Sequence, residues 1–310
     1  MNDEPKIAVL VPCYNEQAAI GAVIDGFKRA LPQAVIYVYD NNSRDQTMAV
    51  ALAAGAIVCR EMRQGKGNVV RRMFADIEAD IYILVDGDDT YDPKDAPAMA
   101  EMIWRDRLDM VNAKRTDNNN AAAYRAGHRF GNAVLTNTVK AIFGDGLDDL
   151  LSGYRAFSRR YVKSFPALAS GFEIETELTV HALALRMPIS EVASNYKDRP
   201  AGSQSKLRTY RDGFRILATI LWLAKSERPF LIFGTLFVVS ALTSIALAIP
   251  IFVTYAETGL VPRLPTAVAA TGTMLLAFLS LATGFILDAV TRARLELRRL
   301  HYLDRMAPGK

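Results

Sequence analysis

Two stretches of this chain, Phe230 to Tyr255 and Leu264 to Leu287, contain no Asp, Glu, Lys or Arg. A helix needs about 20 apolar residues to cross a bilayer core of roughly 30 Å, and each stretch is longer than that. Buried core helices of soluble proteins average only about 11–12 residues. The pattern therefore predicts two membrane-spanning helices. The segment between them, AETGLVPR at 256–263, turns the chain into an antiparallel hairpin with both chain ends on one side.

Which side follows from the flanking cations. Arg208, Arg211, Arg215, Lys225 and Arg228 precede the first span, and Arg292, Arg294, Arg298, Arg299 and Arg305 follow the second, against Arg263 in the turn. The excess of Lys and Arg on the cytoplasmic side of membrane proteins places the N-terminal portion and the tail in the cytoplasm, at the inner membrane if the cell is bacterial. A net charge of +4 suits a chain held against anionic lipid, and no basic motif suggests a nucleic-acid partner. The start, MNDEPKIAVLVPCYNE, lacks the basic head, apolar run and cleavage site of a signal peptide, so no leader is expected. Cys13 and Cys59 each sit beside an apolar run and read as buried reduced thiols rather than a disulfide or metal site.

The first two hundred residues have a different grammar. IAVLV, AVIYVY and IYILV are unbroken apolar, β-rich runs, as strands covered on both faces should be. Helical patterns over Glu16–Ala30, Asp45–Ala54 and Lys66–Ile77 lie between and after them, which predicts an α/β domain with a mainly parallel, Rossmann-like sheet. TDNNNAAAYR reads as a loop entering a helix. From 207 to 225, Tyr210, Phe214, Leu217, Leu221 and Trp222 recur at helical spacing among arginines, the pattern of an amphipathic helix in the membrane interface, with a solvated helix packed on the domain as the alternative. The resulting organisation is an α/β domain at 1–206, a juxtamembrane amphipathic helix at 207–228, two spans at 229–288 and a basic cytoplasmic tail at 289–310.

In such sheets ligands bind beyond the carboxyl ends of the strands, and that is where the polar residues gather. IYILV stops at Asp86, Asp88 and Asp89, three carboxylates in four positions with small Gly87 between the first two. Hard oxygen ligands so placed suit Mg²⁺ or Mn²⁺ bridging to phosphates. After the first strand, Pro12 turns the chain, Tyr14 can pack on a base or ribose, and Glu16 can accept hydrogen bonds. DNNS adds Asp40 and Asn41, with Asn42 or Ser43 free to cap the next helix. In RQGKGN, glycines flank Lys66 before a helix, a way to present a cation and backbone N–H groups to phosphate. The set describes a nucleotide-diphosphate pocket, although each loop alone would pass for a turn.

The ordered set VPCYNE, DNNSRDQT, GKGN, DGDD, SGYR and DRPAGSQSKL, followed by two spans, resembles family 2 glycosyltransferases of GT-A fold. Within them it is most similar to the polyprenyl-phosphate glycosyltransferases, the group of dolichol-phosphate mannose synthase and bactoprenol glucosyltransferase. The resemblance implies inverting transfer of a single sugar from a nucleotide-sugar to a polyprenyl phosphate, with UDP-glucose favoured over UDP-N-acetylglucosamine, UDP-galactose and GDP-mannose. It also implies assembly as a homotetramer. By position, Pro12, Tyr14, Glu16, Asp40 and Asn41 would line the nucleoside pocket, and Asp86 and Asp88 would hold the metal. Arg115 and Arg125 would bind the acceptor phosphate, while Arg199 closes over the donor phosphates in a loop completed by Ser205 and Lys206. Asp89 is left to bind metal, bind sugar or cap the helix near Pro93. Arg155, Glu173 and Glu175 are left between ligand contacts and structural ion pairs. His128, His181 and His301 match no ligand spacing, and Asp288 is a membrane-interface residue. A processive polysaccharide synthase shares the nucleotide half of such a site, but its Gln-x-x-Arg-Trp motif and additional spans are absent here. A catalytically silent scaffold is the other rival.

Overall fold

A computed structural model of the chain describes residues 4–116, 136–142, 144, 146–200 and 209–309, the side chains of 209–215 excepted. It divides into two compact units: residues 1–220 together with 298–310, and residues 221–297.

The first unit is built on a seven-stranded sheet. Its strands are β1 (Ile7–Cys13), β2 (Val35–Asp40), β3 (Ile57–Arg60), β4 (Ile81–Leu84), β5 (Met110–Thr116), β6 (Arg155–Ser158) and β7 (Ile189–Asn195), in the order β3-β2-β1-β4-β6-β5-β7. All neighbours pair parallel except β6, which runs antiparallel to both β4 and β5. The unbroken apolar runs are buried on both faces: Val9, Leu10 and Val11 in β1 and all of β4 are covered. Around the sheet lie α1 (Ile20–Ala30), α2 (Thr47–Ala53), α3 (Lys66–Asp76), α4 (Ala96–Trp104), α5 (Arg159–Ser164) and α6 (Ile174–Ala184). In α1, Ile20, Val23, Ile24 and Phe27 recur at helical spacing and face the core. The domain is thus the mixed α/β, Rossmann-like fold expected.

Two details differ from the sequence reading. Helix α1 begins at Ile20, not Glu16, because Asn15 adopts φ 54° and the Glu16 amide donates to Thr47 Oγ1 at 2.9 Å, committing the would-be first turn to a neighbouring loop. The helix after the acidic cluster is capped by Asp92, whose Oδ1 accepts from the Lys94 amide at 3.1 Å ahead of a single 3₁₀ turn, so Asp89 is not the cap. The expected loop and helix entry at TDNNNAAAYR lie outside the described residues apart from Thr116.

Parallel pairing brings the ends of β1, β2, β4 and β5 to one edge, and the antiparallel β6 starts there. Cys13, Asp40, Asp86, Arg115 and the Ser152–Arg155 segment therefore share that edge. Arg155 is fixed where β6 begins and is fully buried. It donates to the carbonyls of Ser152 (3.0 Å) and Leu150 (2.6 Å) and to Thr179 Oγ1 (2.8 Å) in α6. Burial lowers its pKa from the ordinary guanidinium value, yet arginine stays protonated at physiological pH. It is an interior strut held by carbonyls, neither a ligand contact nor a surface ion pair.

Helix α7 (Thr209–Glu227) precedes the apolar region, with Ile216, Ile220, Leu223 and Ala224 buried and Leu217, Leu221 and Trp222 exposed. In the second unit, α8 (Pro229–Thr258) and α9 (Leu264–Leu303) are long and apolar enough to cross a membrane. Pro229 opens α8 where its missing N–H costs nothing, and Gly259 at φ 69° ends it, its N–H donating to the Tyr255 carbonyl. Small residues let the helices approach: Ala270, Ala277, Ser280 and Gly284 are buried. Ser244 donates to the Ala270 carbonyl at 2.7 Å and Ser280 to the Phe233 carbonyl at 3.0 Å, tying the hairpin without spending its apolar outer surface.

Neighbouring arginines give a stability test. Arg155→Lys keeps the charge but loses the fork, and should cost roughly 2–3 kcal/mol through unsatisfied carbonyls. Arg159, half exposed and paired with Glu78, should tolerate lysine within about 0.5 kcal/mol. Thermal unfolding of both variants in detergent reads the difference, and equal melting temperatures would contradict the strut.

Candidate active site

The loops after β1 and β2 are stitched together before any ligand arrives. The Asn15 amide donates to Ser43 Oγ at 2.8 Å, the Arg44 amide to Asn15 Oδ1 at 2.8 Å, and the Asn41 amide to the Cys13 carbonyl at 2.8 Å. Asn15 and Asn42 take φ of 54° and 64°, left-handed conformations that asparagine tolerates better than most residues. Pro12 and Tyr14 are partly exposed at this edge and Glu16 is buried.

Asp40 and Asn41 prove to have different jobs. Asp40 is fully buried, with Oδ2 accepting from the Ser43 amide at 3.0 Å and Oδ1 lacking any partner among the described residues. An orphaned carboxylate oxygen in a dry place calls for a ligand donor. Asn41 spends its whole amide on the next loop: Nδ2 donates to the carbonyls of Glu61 (2.9 Å) and Arg63 (2.8 Å), and Oδ1 accepts from Gln64 Nε2 (3.2 Å) and the Gly65 amide (2.7 Å). It shapes the Lys66 loop instead of reaching for a nucleoside.

Lys66 opens α3 and reaches across to Asp86 at 2.5 Å and to Glu175 in α6 at 2.6 Å. Burial alone would lower its pKa, but the two carboxylates outweigh that and the net shift is upward. Glu175 is raised, because burial exceeds the pull of Lys66. Its Oε2 has no partner among the described residues. Asp88 is buried and held from two sides: Oδ1 accepts from Thr90 Oγ1 at 2.6 Å, and Oδ2 from Arg199 Nε at 2.8 Å and Nη2 at 2.7 Å. Asp88 outweighs the effect of burial on Arg199, so that its pKa also rises. Asp89, at φ 56°, faces Lys197 at 3.8 Å.

Gly87 and Gly153 let other backbone approach this acid cluster. A Cβ on Gly87 would stand 2.6 Å from Cys13 Sγ, and one on Gly153 would collide with the Asp86 carboxylate. Gly153 also donates its amide to Tyr91 Oη at 2.9 Å. Thus the SGYR segment presses directly on the strand-end acid. On the far side of that segment, Arg115 makes a forked pair with buried Asp149, Nε to Oδ2 and Nη2 to Oδ1 at 2.7 Å each, with its guanidinium carbon 5.6 Å from the Tyr196 ring centre. Arg125, Ser205 and Lys206 lie outside the described residues.

Glu173 accepts from the amides of Ser170 (3.3 Å) and Gly171 (3.0 Å), and Glu177 from Leu168 (2.9 Å) and Ala169 (2.8 Å), so both shape the loop before α6. His181 is buried among Tyr161 and Phe165, with Nε2 3.2 Å from Ser164 Oγ. Burial, aided by Arg298, pulls its pKa to about 3, so it packs as a neutral ring. His301 is exposed, and His128 is outside the described residues. Both cysteines are free, but only Cys13 is buried; Cys59 lies on short β3, whose side chains are covered incompletely. The sequence reading missed Asp149, Tyr91 and Tyr196, and the available signals were the acids of DDLL and the tyrosines beside DGDD and DRP.

Among the described residues no three His, Cys, Asp or Glu side chains form a self-sufficient metal cage. Asp86 and Asp88 nonetheless supply hard carboxylate oxygens, each already facing a cation. That fits an ion such as Mg²⁺ or Mn²⁺ that completes its shell with water and phosphate. Chemically, the edge offers a carboxylate pair, two cations paired with it and an arginine fork.

Residues 8–165 match the family described as Glycosyl transferase family 2. The chain is 33% identical over 244 residues to the glycosyltransferase AglJ of Haloferax volcanii, spanning 78% of this chain and 80% of that one. It is 26% identical to a dolichyl-phosphate hexose transferase of the same organism, over 72% of this chain and 95% of that protein. The fold is shared with Mycobacterium tuberculosis glucosyl-3-phosphoglycerate synthase, at a TM-score of 0.58 and 24% identity over 71% of this chain and 81% of that one. A complex of that synthase with Mn²⁺, UDP-glucose and phosphoglyceric acid gives 0.56 at 23%, over 71% and 80%. The strand-end acids, their cationic partners and these likenesses agree: the chain belongs to glycosyl transferase family 2.

Proposed function

We propose that this glycosyltransferase moves one hexose from a nucleotide-sugar, UDP-glucose by preference, to a polyprenyl phosphate, with inversion. The observation that carries the reading is Arg115. Its guanidinium is held at 2.7 Å by both oxygens of Asp149 at the same sheet edge as Asp86, and a forked carboxylate pair has the geometry by which arginine binds phosphate. The two apolar helices and the likeness to a dolichyl-phosphate hexose transferase support a lipid-borne acceptor.

In this reading an ionised acceptor-phosphate oxygen attacks the anomeric carbon from the face opposite the leaving group. The new C–O bond forms as the bond to the nucleoside diphosphate breaks, and its electron pair leaves on the β-phosphate oxygen. No proton has to be removed from the nucleophile, which accords with the neutral, buried His181 having no part in the site. Lys66 and Arg199 oppose the charge that grows on the leaving group, and Arg115, with Arg125 expected beside it, orients the acceptor phosphate. Asp86 and Asp88 would hold Mg²⁺ or Mn²⁺, which supplies further neutralisation of the diphosphate; the Mn²⁺ complex of the similar synthase supports a divalent ion. Asp40 Oδ1 is suited to accept from an imide N–H of the base. The catalytic domain and tail are cytoplasmic, and the chain assembles as a homotetramer.

The decisive assay uses purified protein, undecaprenyl phosphate, Mg²⁺ or Mn²⁺, and radiolabelled UDP-glucose, UDP-N-acetylglucosamine, UDP-galactose or GDP-mannose. Label should pass into organic solvent with one donor. Folded protein that labels lipid from none of them would favour the silent scaffold.

Asp88→Ala should reduce transfer at least about 100-fold, the scale of losing a group that organises transition-state charge, while the protein remains folded in the membrane. Retained activity would sink the metal assignment. Asp40→Asn should raise the donor KM by about 10–100-fold, as expected for a lost hydrogen bond to a charged acceptor, and leave the lipid KM unchanged. Arg115→Lys should do the reverse, and steady-state kinetics in both substrates separates the two.

A further inference from the structure

One cation serves two carboxylates beside the sheet edge. Lys66 Nζ lies 2.5 Å from Asp86 Oδ1 and 2.6 Å from Glu175 Oε1. The second oxygen of Glu175, Oε2, is buried and has no partner among the described residues. The two acids are not equally dry: the Asp86 side chain is 31% exposed and that of Glu175 only 7%. Water can therefore stand in for Lys66 at Asp86, but not at Glu175.

Glu175 is held in this position from two directions. Behind it, Thr179 Oγ1 donates to the Glu175 carbonyl at 3.2 Å and accepts from Arg155 at 2.8 Å, so the first turn of α6 hangs on the same interior arginine as the SGYR segment. In front, the loop before α6 presses on the start of α3. A Cβ on Gly67 would collide with the Ala169 carbonyl, and the Asn68 amide donates to the Ser170 carbonyl at 3.3 Å. The two helices thus meet at their N-terminal ends, where Lys66 from one reaches Glu175 from the other. All of these residues belong to the first unit.

In the proposed reaction Lys66 turns to the diphosphate. Glu175 then loses the one side-chain donor it has among the described residues and keeps a buried charge. Such a charge is costly unless other donors reach it. In a nucleotide-sugar the group bonded directly to the diphosphate is the hexose, and its hydroxyls are donors of the required kind. We propose that Glu175 is the residue that selects the donor sugar: as Lys66 passes to the diphosphate, a hexose hydroxyl takes its place on the Glu175 carboxylate. A hexose that turns this hydroxyl away leaves the carboxylate bare, and an unpaired buried polar group discriminates more strongly than a lost apolar contact. This inference rests on the nucleotide-sugar reading above and does not depend on the acceptor.

The test is titration calorimetry of full-length protein in detergent with Mn²⁺, using UDP, UDP-glucose and a set of UDP-glucose analogues each lacking one hexose hydroxyl. Wild type should bind one of the analogues at least about tenfold more weakly than UDP-glucose, the scale of one hydrogen bond to a charged group. In Glu175→Gln that penalty should shrink to about twofold, while UDP itself binds at least as tightly as before, because Lys66 is no longer shared with a second acid. Glu175→Asp keeps a charge for Lys66 but draws the carboxylate back, and should lose the penalty in the same way. Glu173→Gln alters a neighbouring buried acid that faces the Ser170 and Gly171 amides, and should keep the wild-type pattern. No penalty from any analogue in wild type, or the same penalty in wild type and both Glu175 variants, overturns the selecting role. UDP and UDP-glucose weakened by one common factor in Glu175→Gln would show a residue that only holds Lys66, and overturns it as well. Wild type that binds neither UDP nor UDP-glucose overturns the UDP-glucose reading and this inference with it.

Discussion

The site depends on a charge that never meets substrate. Arg155 lies in the dry interior with its guanidinium on the carbonyls of Leu150 and Ser152 and on Thr179 of α6. Those carbonyls belong to the 149–153 segment, and that segment has two working ends. At one, Asp149 takes Arg115; at the other, Gly153 abuts Asp86 while Ser152 Oγ donates to the Ala113 carbonyl at 2.6 Å. Fixing a charged group in low dielectric is costly unless its hydrogen bonds are met. Because they are met by backbone, the segment's path is specified by the same bonds that make the burial tolerable. Asp86 and Arg115 consequently share one spacer.

How much of this was legible in the sequence follows the physics of each element. β1 and β4 announced themselves because both faces are covered, and β2 because no polar residue interrupts its apolar run before Asp40. The loops at their ends could then be assigned to one edge from parallel topology alone. β6 is RAFS, too short for any period, and its antiparallel direction depends on partners distant in the chain. Charged residues were the harder case. A sequence scale treats Arg155 as surface or ligand, because nothing in the local pattern shows that the Leu150 and Ser152 carbonyls turn back onto it or that Thr179 of α6 joins them. Asn41 looked like a base-binding residue until its four hydrogen bonds to 61–65 were seen. Cys59 looked buried because its neighbours are apolar, but β3 is an edge strand paired on one side with β2.

The membrane part was legible for the opposite reason. Absence of charge over more than 20 residues is a property of the local sequence and needs no tertiary information. What the sequence could not show is the return of the tail to the first unit, which turns on a single carboxylate at position 109 and a tyrosine 193 residues later. Hydrophobic patterning carries no trace of such a pairing.

The crowding of Asp86, Asp88 and Asp89 can now be understood as an electrostatic arrangement. Like charges so close would repel strongly in a partly dry site, but each faces its own cation: Lys66, Arg199 and Lys197 respectively. These cations come from two segments, Lys66 from α3 and both Lys197 and Arg199 from the chain after β7, so the acids act as the point where both converge on the β4 end. In the proposed reaction a metal-bound diphosphate would bring both a new cation for the acids and new anions for Lys66 and Arg199. Donor binding would then be an exchange of partners within a neutralised cluster. In that reaction Asp149 would play the same part for Arg115, which it holds in a fork that a phosphate could take over.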